Sequence, residues 1–412
     1  MKIVMLAPYV YAPEFREHCK NKTGFGFMVN DIAKSVGKAG NDVVAVVHAF
    51  GPERECDGYK ILKNNIFNNI IFGNFKGLLG FYRRMRTNEV SFKSFLRHLY
   101  YYLNIGYVKH LIKKEKPDIV HIHGCSVFID NIMDMLKEIN VPYVITLHGL
   151  LQYDAAGGTK YSQLCEKELV RKSAEDKIPM TVISSGMKED FLSDYYGVKN
   201  NDHVHIVTNG IDITTLRETY DIYEKYNIPT SKKVILCVGS ICPSKNQKQL
   251  LNSFSLMSED AKKDCVLMLV GSTNHSYSVT EEIEHLNLKD KVICTGFVPR
   301  EELNNYYSAA HNTVCASIVE GFGLSMIEGF VYGAPCVAFS DIQAISDIYD
   351  EDAMLLCHER SDTAFASALE KALMMEWNKT KIQEHSRKFS LETMAQKYVS
   401  VYNMVKNNSK GM

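Results

Sequence analysis

The sequence predicts an α/β protein made of two Rossmann-like, doubly wound domains. The chain has 412 residues, more than one ordinary hydrophobic core accommodates. Short, continuous apolar runs alternate with helical patterns, as expected of parallel strands that are covered on both faces. This alternation fills the first half and starts again at Lys232. We therefore expect two similar domains that face a cleft.

The first half begins with an apolar run at 2–7, followed by a long polar loop. The next segment, TGFGFMVNDIAKSVGKAGNDVVAVV, is typical of a glycine loop, a helix, a glycine turn and a strand. Together these elements form a βαβ unit. Further buried strands are predicted at 119–124, 143–149 and 180–184.

The second half repeats the pattern, with strands predicted at 232–240, 265–271, 291–296, 312–317 and 335–339. Residues 208–233 are polar and rich in turn formers, which indicates a hinge region. We expect a first domain at 1–207 and a second at 208–389. The last segment has an amphipathic pattern from 390 to 405, and we expect a C-terminal helix, 390–412, to pack on the first domain.

Composition narrows the classes of function. Apolar residues make up 46% of the chain and charged residues 23%, as in soluble globular proteins. The net charge of −1 argues against binding to nucleic acid. The eleven cysteines form no C-x-x-C pair, and several lie in apolar runs, which favours buried, reduced thiols in the cytoplasm. No signal peptide or membrane-spanning run is recognisable.

The most informative segment is EGFGLSMIEG, Glu320–Gly329. A predicted strand precedes it, and a helix is predicted from Ser325 to Tyr332, ended by Gly333 in a left-handed conformation. Gly321 and Gly323 allow close backbone approach, and a helix N-terminus offers N–H groups to an anion. An acid on each side of such a turn suits a ligand with phosphate in the middle and hydroxyls at both ends, such as a nucleotide sugar. Two surface acids at an ordinary corner are the alternative.

The order of motifs resembles family 4 of the retaining glycosyltransferases, which have the two-domain GT-B fold. The motifs are Gly24 and Gly26, His148-Gly149, Asn209–Asp212, Val238-Gly239 with Lys245-Asn246, Gly296–Val298, and the E-x7-E pair Glu320 and Glu328. Each motif is weak alone, but the ordered set covers most of the chain. The resemblance implies an acceptor domain followed by a donor domain, and transfer of a hexose with retention at the anomeric carbon.

The resemblance also implies roles for individual residues. Glu320, His148 and Lys245 would be catalytic: Glu320 binds the donor sugar, Lys245 neutralises the diphosphate and His148 lies near the reacting sugar. Glu328 would hold the ribose, and Gly24 and Gly26 would form a turn near the diphosphate. A solvated lysine and a structural histidine remain the alternatives for Lys245 and His148. The donor would be further contacted by Ser240, Val298, Phe322, Gly323, Leu324 and Ser325, through backbone N–H groups at 322–325.

The chain departs from the family in two places. Ser240 occupies the position of an arginine that binds the diphosphate in many members, so Lys245, backbone N–H groups and Lys248 are expected to compensate. Gln343-Ala344 and Ser346-Asp347 replace the usual glycine pair and Pro-Glu. No metal-binding motif is recognisable, so we expect no required cofactor and no metal, with a UDP- or GDP-sugar as substrate.

The acceptor is less defined. Residues 76–116 contain ten Lys or Arg against two Glu, interleaved with aromatic residues. This segment could lie on an anionic membrane and reach a lipid-linked glycan, or its aromatics could be core and its basic residues a solvated face. The long loop from 8 to 24 frames an acceptor pocket or is a surface insertion.

Three functions are compatible with the sequence. The favoured one is a glycosyltransferase of surface polysaccharide or lipopolysaccharide synthesis, acting on a glycan or a lipid-linked oligosaccharide, in the cytoplasm or peripherally at the inner face of the membrane. A nucleotide-sugar epimerase or a glycogen- or sucrose-type synthase has the same fold. The third possibility, from a different functional class, is a non-catalytic subunit that binds nucleotide sugars.

Overall fold

The computed structural model describes residues 1–12, 24–88, 91–153, 159–214, 218–273 and 277–409. The chain divides into two compact units. Unit 1 comprises Met1–Gly210 and Leu391–Met412, and unit 2 comprises Ile211–Ser390. Each unit contains one sheet with helices around it. The predicted α/β architecture of two doubly wound domains is confirmed.

Unit 1 has an eight-stranded sheet of order β3-β4-β2-β1-β5-β6-β7-β8. Its strands are β1 Lys2–Ala7, β2 Asp42–Val47, β3 Arg54–Cys56, β4 Tyr59–Ile61, β5 Ile119–His123, β6 Tyr143–Leu147, β7 Met180–Val182 and β8 Val204–Ile206. Its helices are α1 Gly24–Lys38, α2 Ile66–Ile71, α3 Leu78–Thr87, α4 Phe92–Glu115, α5 Ile129–Glu138, α6 Lys160–Asp176, α7 Ser185–Asp190 and α17 Leu391–Ser409. The strand pairs are parallel except β3–β4, an edge hairpin that turns at Gly58 with φ of 87°. The predicted buried runs at β1, β5 and β6 are confirmed: their side chains are almost completely buried.

Unit 2 has a six-stranded parallel sheet of order β11-β10-β9-β12-β13-β14. Its strands are β9 Lys233–Val238, β10 Cys265–Val270, β11 Val292–Gly296, β12 Ala310–Cys315, β13 Cys336–Phe339 and β14 Met354–Cys357. Its helices are α8 Ile222–Lys225, α9 Gln247–Leu256, α10 Glu259–Lys263, α11 Thr280–His285, α12 Leu303–Ala309, α13 Leu324–Val331, α14 Ile345–Ile348, α15 Asp362–Met374 and α16 Lys379–Ser386. The hydrophobic core lies on both faces of the sheet, because parallel strands are apolar on both sides.

Residues 208–233 were expected to be a polar hinge region, which stays a prediction, and the boundary between the two units falls within them, after Gly210. The segment is not polar throughout, because Ile222 and Ile228 are buried in the core of unit 2. Their apolar side chains were too few to stand out among polar neighbours. The expectation of buried cysteines fails at Cys294, which is exposed because β11 is an edge strand. The ten cysteines in the described part of the chain are free.

The last helix belongs to unit 1. Helix α17 contacts α1 and β6, and Tyr398, Tyr402 and Val405 on one face are buried. The hydroxyl of Tyr402 bonds Nδ1 of His121 on β5 at 2.7 Å. The end of the chain thereby completes the cover of the first sheet.

Both sheets have a topological switch point, where the strand order reverses. In unit 1 the reversal lies between β1 and β5, and in unit 2 between β9 and β12. At such a point the loops that leave neighbouring strands diverge and open a crevice at their carboxyl ends, which is where open α/β sheets bind ligands. The fold therefore identifies the loops after β1, β5, β9 and β12 as candidate ligand-binding loops.

Candidate active site

The switch point of unit 2 brings together two loops that are distant in sequence. The loop after β9 forms a 3-10 turn, Pro243–Lys245, and the loop after β12 carries Glu320. The N–H of Ile318 donates to the carbonyl oxygen of Ser244 at 2.8 Å, which joins the loops directly. The side chains of Lys245 and Glu320 therefore meet across the crevice.

Lys245 and Glu320 form an ion pair between Nζ and Oε2. Their side chains are 29% and 15% exposed, so water screens the pair only weakly. Burial by itself lowers the pKa of Lys245, but the charge and the hydrogen bond of Glu320 outweigh it, and the net shift is upward. The hydroxyl of Ser317 also donates to Oε2 of Glu320 at 3.3 Å. Lys245 is therefore a permanent cation, in contact with a carboxylate of fixed position.

A cavity lies beside this ion pair. Its lining includes Lys245 and Glu320, the ends of β9 and β12, and Ser325 in the first turn of α13. The charged groups and the helix N-terminus thus face one space. A lysine and a helix N-terminus at one space favour negative charge there.

In the turn before α13, one of the two glycines has the left-handed conformation that glycine favours. Gly323 has φ of +78°, and a Cβ there would lie 2.1 Å from Cε of Met326. The helix begins at Leu324, one residue before the predicted start, and Gly333 after its end has φ of +73°. Phe322 is 2% exposed, and its ring packs against Phe389 at 5.9 Å. The side chain of Phe322 therefore anchors the turn to the core of unit 2.

Glu328 lies inside α13 and is held by partners that sequence reasoning missed. The hydroxyl of Tyr307 donates to Oε2 of Glu328 at 2.7 Å, and Nη2 of Arg300 lies 4.0 Å from Oε1. Burial and the adjacent carboxylate raise the pKa of Tyr307 well above its usual range, so this hydroxyl keeps its proton. The only advance signal of these partners was the position of Arg300 just after the Gly296–Val298 motif.

The predicted donor residues Ser240 and Val298 have structural contacts of their own. Ser240 is exposed, and its carbonyl oxygen accepts from Nε2 of Gln247 at 3.0 Å. Gln247, 1% exposed, also accepts from the N–H of Cys242 at 3.3 Å and so holds the loop that carries Lys245. Val298 packs against the core of unit 2.

Two further cations lie near this crevice. Nζ of Lys248 lies 5.4 Å from the ring centroid of Tyr277, and Lys248 is not among the residues that line the cavity. Arg360, which sequence reasoning missed, donates from Nη2 to the carbonyl oxygen of Ser317 at 2.8 Å and from Nε to Asp341 at 2.6 Å. Arg360 thus supports the loop that carries Glu320 and contacts Asp341, two residues before the segment that departs from the family pattern.

Unit 1 contains the other predicted residues, Gly24, Gly26 and His148. Gly24 and Gly26 were expected in a loop, but both lie in the first turn of α1, and this assignment is corrected. A Cβ on Gly26 would lie 3.1 Å from Tyr9 and Tyr11, so glycine here allows close helix packing. Most of the loop from 8 to 24, which was expected either to frame an acceptor pocket or to be a surface insertion, falls outside the described residues.

His148 follows β6 and is partly buried. Its Nε2 lies 3.0 Å from Nδ1 of His123, at the end of β5, and its ring centroid is 5.1 Å from that of Phe25. Burial lowers the pKa of His148 to about 4, so the imidazole is neutral at pH 7. His123 was missed, although HIHG and TLHG end neighbouring strands with the same His-Gly pair.

Two features are absent from the described residues. They contain no group of three or more His, Cys, Asp or Glu side chains placed to hold a metal ion. They also contain no helix that combines the length and the hydropathy needed to cross a membrane.

Curated relatives match parts of the chain. A mannosylfructose-phosphate synthase of Agrobacterium fabrum is 28% identical over 170 residues, 38% of this chain and 37% of that protein. An alpha-monoglucosyldiacylglycerol synthase of Streptococcus pneumoniae is 25% identical over 270 residues, 62% of this chain and 59% of that protein. The chain spans less than two thirds of the length of either relative.

Solved structures match the whole fold. A sucrose-phosphate synthase of Thermosynechococcus elongatus has a TM-score of 0.71 at 18% identity, with 98% of each chain covered. The Anabaena protein HepE, solved with UDP and glucose, has a TM-score of 0.66 at 14% identity, with 98% of this chain and 100% of that chain covered. These likenesses establish the GT-B architecture.

Two family profiles match almost the whole chain between them. "Glycosyltransferase Family 4" matches residues 23–215, and "Glycosyl transferases group 1" matches residues 219–389. The chain belongs to the group 1, family 4 glycosyltransferases.

Proposed function

We propose that this protein is a retaining hexosyltransferase that moves a sugar from a nucleotide-sugar donor to a glycan or a lipid-linked acceptor. One observation carries the proposal: the ion pair of Lys245 and Glu320 lies at the switch point of unit 2, beside the N-terminus of α13. A cation, a carboxylate and free helix N–H groups around one cavity match a diphosphate that is joined to a sugar.

The donor's two ends are assigned to the two acids. Glu320 accepts hydroxyl groups of the transferred sugar, while Glu328 accepts the ribose hydroxyls. The hydroxyl of Tyr307 and the guanidinium of Arg300 fix the orientation of Glu328. The HepE structure with UDP and glucose supports a uridine nucleotide as the first donor to try.

Charge on the leaving group is met by Lys245 and by backbone N–H groups at 322–325. Negative charge grows on the diphosphate as its bond to the sugar breaks, so donors aimed at it stabilise the transition state more than the bound donor. Because Ser240 replaces an arginine, Lys245 carries a larger share. These groups leave no step that requires a metal ion.

Retention follows when the acceptor hydroxyl attacks from the face that the phosphate leaves. An oxygen of the departing phosphate takes the proton of that hydroxyl, so no carboxylate nucleophile is needed. The neutral His148 is assigned to the sugar end. Its Nδ1 has no hydrogen-bond partner among the described residues, so it is available to a substrate oxygen.

The acceptor is assigned to unit 1, in a pathway of surface polysaccharide or lipopolysaccharide synthesis. We place the protein in the cytoplasm, in peripheral contact with the membrane through 76–116. The exposed side chains of Phe92 and Leu96 and the basic residues of this stretch support that contact.

The test combines binding with turnover. A thermal-shift screen of UDP-, GDP-, ADP- and CMP-sugars identifies the donor, since a ligand that binds the folded state raises Tm. Glu328→Ala is expected to weaken nucleotide binding, and Glu320→Ala to lower turnover with little change in binding. Glu281→Ala, an exposed acid on α11, is the control. Unimpaired transfer by both site variants would refute the assignment.

Acceptor trials decide among the related functions. Lipid-linked sugars, α-glucan and sugar phosphates are supplied in turn, with one reaction that contains no acceptor. The TM-score of 0.71 with a sucrose-phosphate synthase makes a sugar-phosphate acceptor the second candidate. Conversion without acceptor would indicate an epimerase, and nucleotide binding without any turnover would indicate a binding subunit.

A further inference from the structure

Helix α2 is an amphipathic helix with its polar side inward. Ile66, Phe67, Ile70 and Ile71 are 55%, 70%, 59% and 69% exposed, whereas Asn69 is 3% exposed. A helix on the surface of a water-soluble protein normally has the reverse arrangement. The apolar face of α2 therefore lacks a partner among the described residues.

A network of asparagines holds the helix in this orientation. The side chain of Asn65 caps the helix by accepting from the N–H of Asn68 at 2.9 Å. Nδ2 of Asn69 donates to Asn64 at 3.0 Å, and Oδ1 of Asn69 accepts from Nδ2 of Asn104 at 2.6 Å. Rotation of α2 to bury its isoleucines would leave buried amides unpaired, which is costly. The outward apolar face is thus built into the fold.

The apolar surface continues after the helix. Phe75, Leu79 and Tyr82 are 54%, 65% and 50% exposed. This segment is anchored along α4 by two hydrogen bonds. The N–H of Asn74 donates to the carbonyl oxygen of Leu103 at 3.0 Å, and the hydroxyl of Tyr102 donates to the carbonyl oxygen of Lys76 at 2.7 Å. We call residues 66–82 the outer apolar segment.

Charge indicates what covers this segment. Between Asp57 and Glu115 the sequence has eleven Lys or Arg and one acidic residue, Glu89, although the net charge of the whole chain is −1. Lys63, Lys76 and Arg83 are exposed. Apolar side chains with a basic surround are complementary to a membrane surface with anionic headgroups, since the two attractions add.

We propose that the outer apolar segment inserts into the headgroup region of an anionic bilayer, with α2 as the inserted element. The inference deepens the proposed function and rests on it for its purpose, which is to bring unit 1 to a lipid-linked acceptor. The basic residues of α3 and α4 draw the protein to the surface. The apolar face of α2 then leaves water.

The experiment is sedimentation of the full chain with phosphatidylglycerol-rich vesicles and with pure phosphatidylcholine vesicles. Wild type is expected to sediment with the anionic vesicles. Ile70→Gln/Ile71→Gln should weaken this binding at least about tenfold, since two apolar side chains that would leave water for the bilayer are lost. Leu256→Gln/Met374→Gln, equally exposed positions in unit 2, should leave it unchanged. Lys76→Gln/Arg83→Gln should weaken binding to anionic vesicles and lower its salt dependence.

Other outcomes overturn the inference. Absence of vesicle binding, or binding that is insensitive to the α2 variant, would contradict it. A wild-type dimer in light scattering that the α2 variant converts to a monomer would assign the segment to a second copy of the chain. Nucleotide-sugar binding, measured by thermal shift on the same samples, reports on the proposed function separately, because the α2 variant changes no residue of the donor site.

Discussion

The ion pair of Lys245 and Glu320 allows stability and activity to be separated. In Lys245→Met the carboxylate of Glu320, 15% exposed, loses its counter-charge and keeps the hydroxyl of Ser317 at 3.3 Å. Removal of one partner of a fully buried pair costs about 3–5 kcal/mol. Because both side chains retain some contact with water, we expect a loss of about 2 kcal/mol in the free energy of unfolding of unit 2.

The double variant Lys245→Met/Glu320→Gln restores a neutral pair of similar shape. It should regain at least half of the lost stability, because no uncompensated charge remains. In calorimetry the single variant is expected to lower the Tm of the unit 2 transition by roughly 4–8 °C, since 1 kcal/mol corresponds to about 2–4 °C in a domain of this size.

Turnover should not recover with stability. Loss of a group that stabilises developing charge costs about 10²–10³-fold in kcat, and the double variant still lacks the cation. Lys289→Met, which removes an exposed ion pair with Glu284, is the control and should change Tm little. The reasoning is refuted if Lys245→Met retains wild-type Tm and turnover, or if the double variant is as unstable as the single one.

Three further variants test other features of the fold. Tyr307→Phe removes the hydrogen bond to Glu328, so nucleotide affinity by calorimetry should fall roughly tenfold, while Tyr349→Phe at an exposed site should not alter it. Burial raises the pKa of Glu166 to about 7. Because this carboxyl group binds its proton more tightly in the folded state, it contributes to the free energy of unfolding below about pH 4.5. That contribution is lost as pH rises through about 7. Glu166→Gln should therefore gain up to about 3 kcal/mol over wild type in denaturant unfolding across this window, and a constant difference would contradict the shift. Gly271→Ala should destabilise unit 2 severely, since a Cβ would lie 2.0 Å from the carbonyl oxygen of Gly239 and φ is +157°; unchanged unfolding would show that the turn yields.

The sequence predicted the strands near the centre of each sheet better than the strands at its edges. Runs such as those of β5 and β10 are apolar throughout because both faces are covered, and each was recognised to within one or two residues. The hairpin of β3 and β4 was missed, since three-residue strands are too short for a pattern, although Asp57-Gly58 is a turn signal. Helix α2 was also missed, because its six residues are too few to show a helical period.

The motif Glu320–Gly329 could be recognised from the sequence because glycine positions, helix ends and acidic residues are local features. The residues that hold this motif in place could not be recognised from the sequence. Tyr307, Arg300 and Arg360 contact it or the loop before it from other elements of unit 2. No spacing in the chain reveals such contacts.

The sequence by itself determined the repeated α/β alternation, the family and the turn before α13, because these depend on periodicity and backbone conformation. Only the tertiary structure decided that Lys245 contacts Glu320, that His123 contacts His148 and that α2 presents its apolar side outward. The first contact arises where the strand order of unit 2 reverses between β9 and β12, and the second arises because β5 and β6 are neighbouring parallel strands whose carboxyl ends meet at one edge of the sheet. The third arises because buried asparagines, paired with one another, fix a helix against its own hydrophobic pattern.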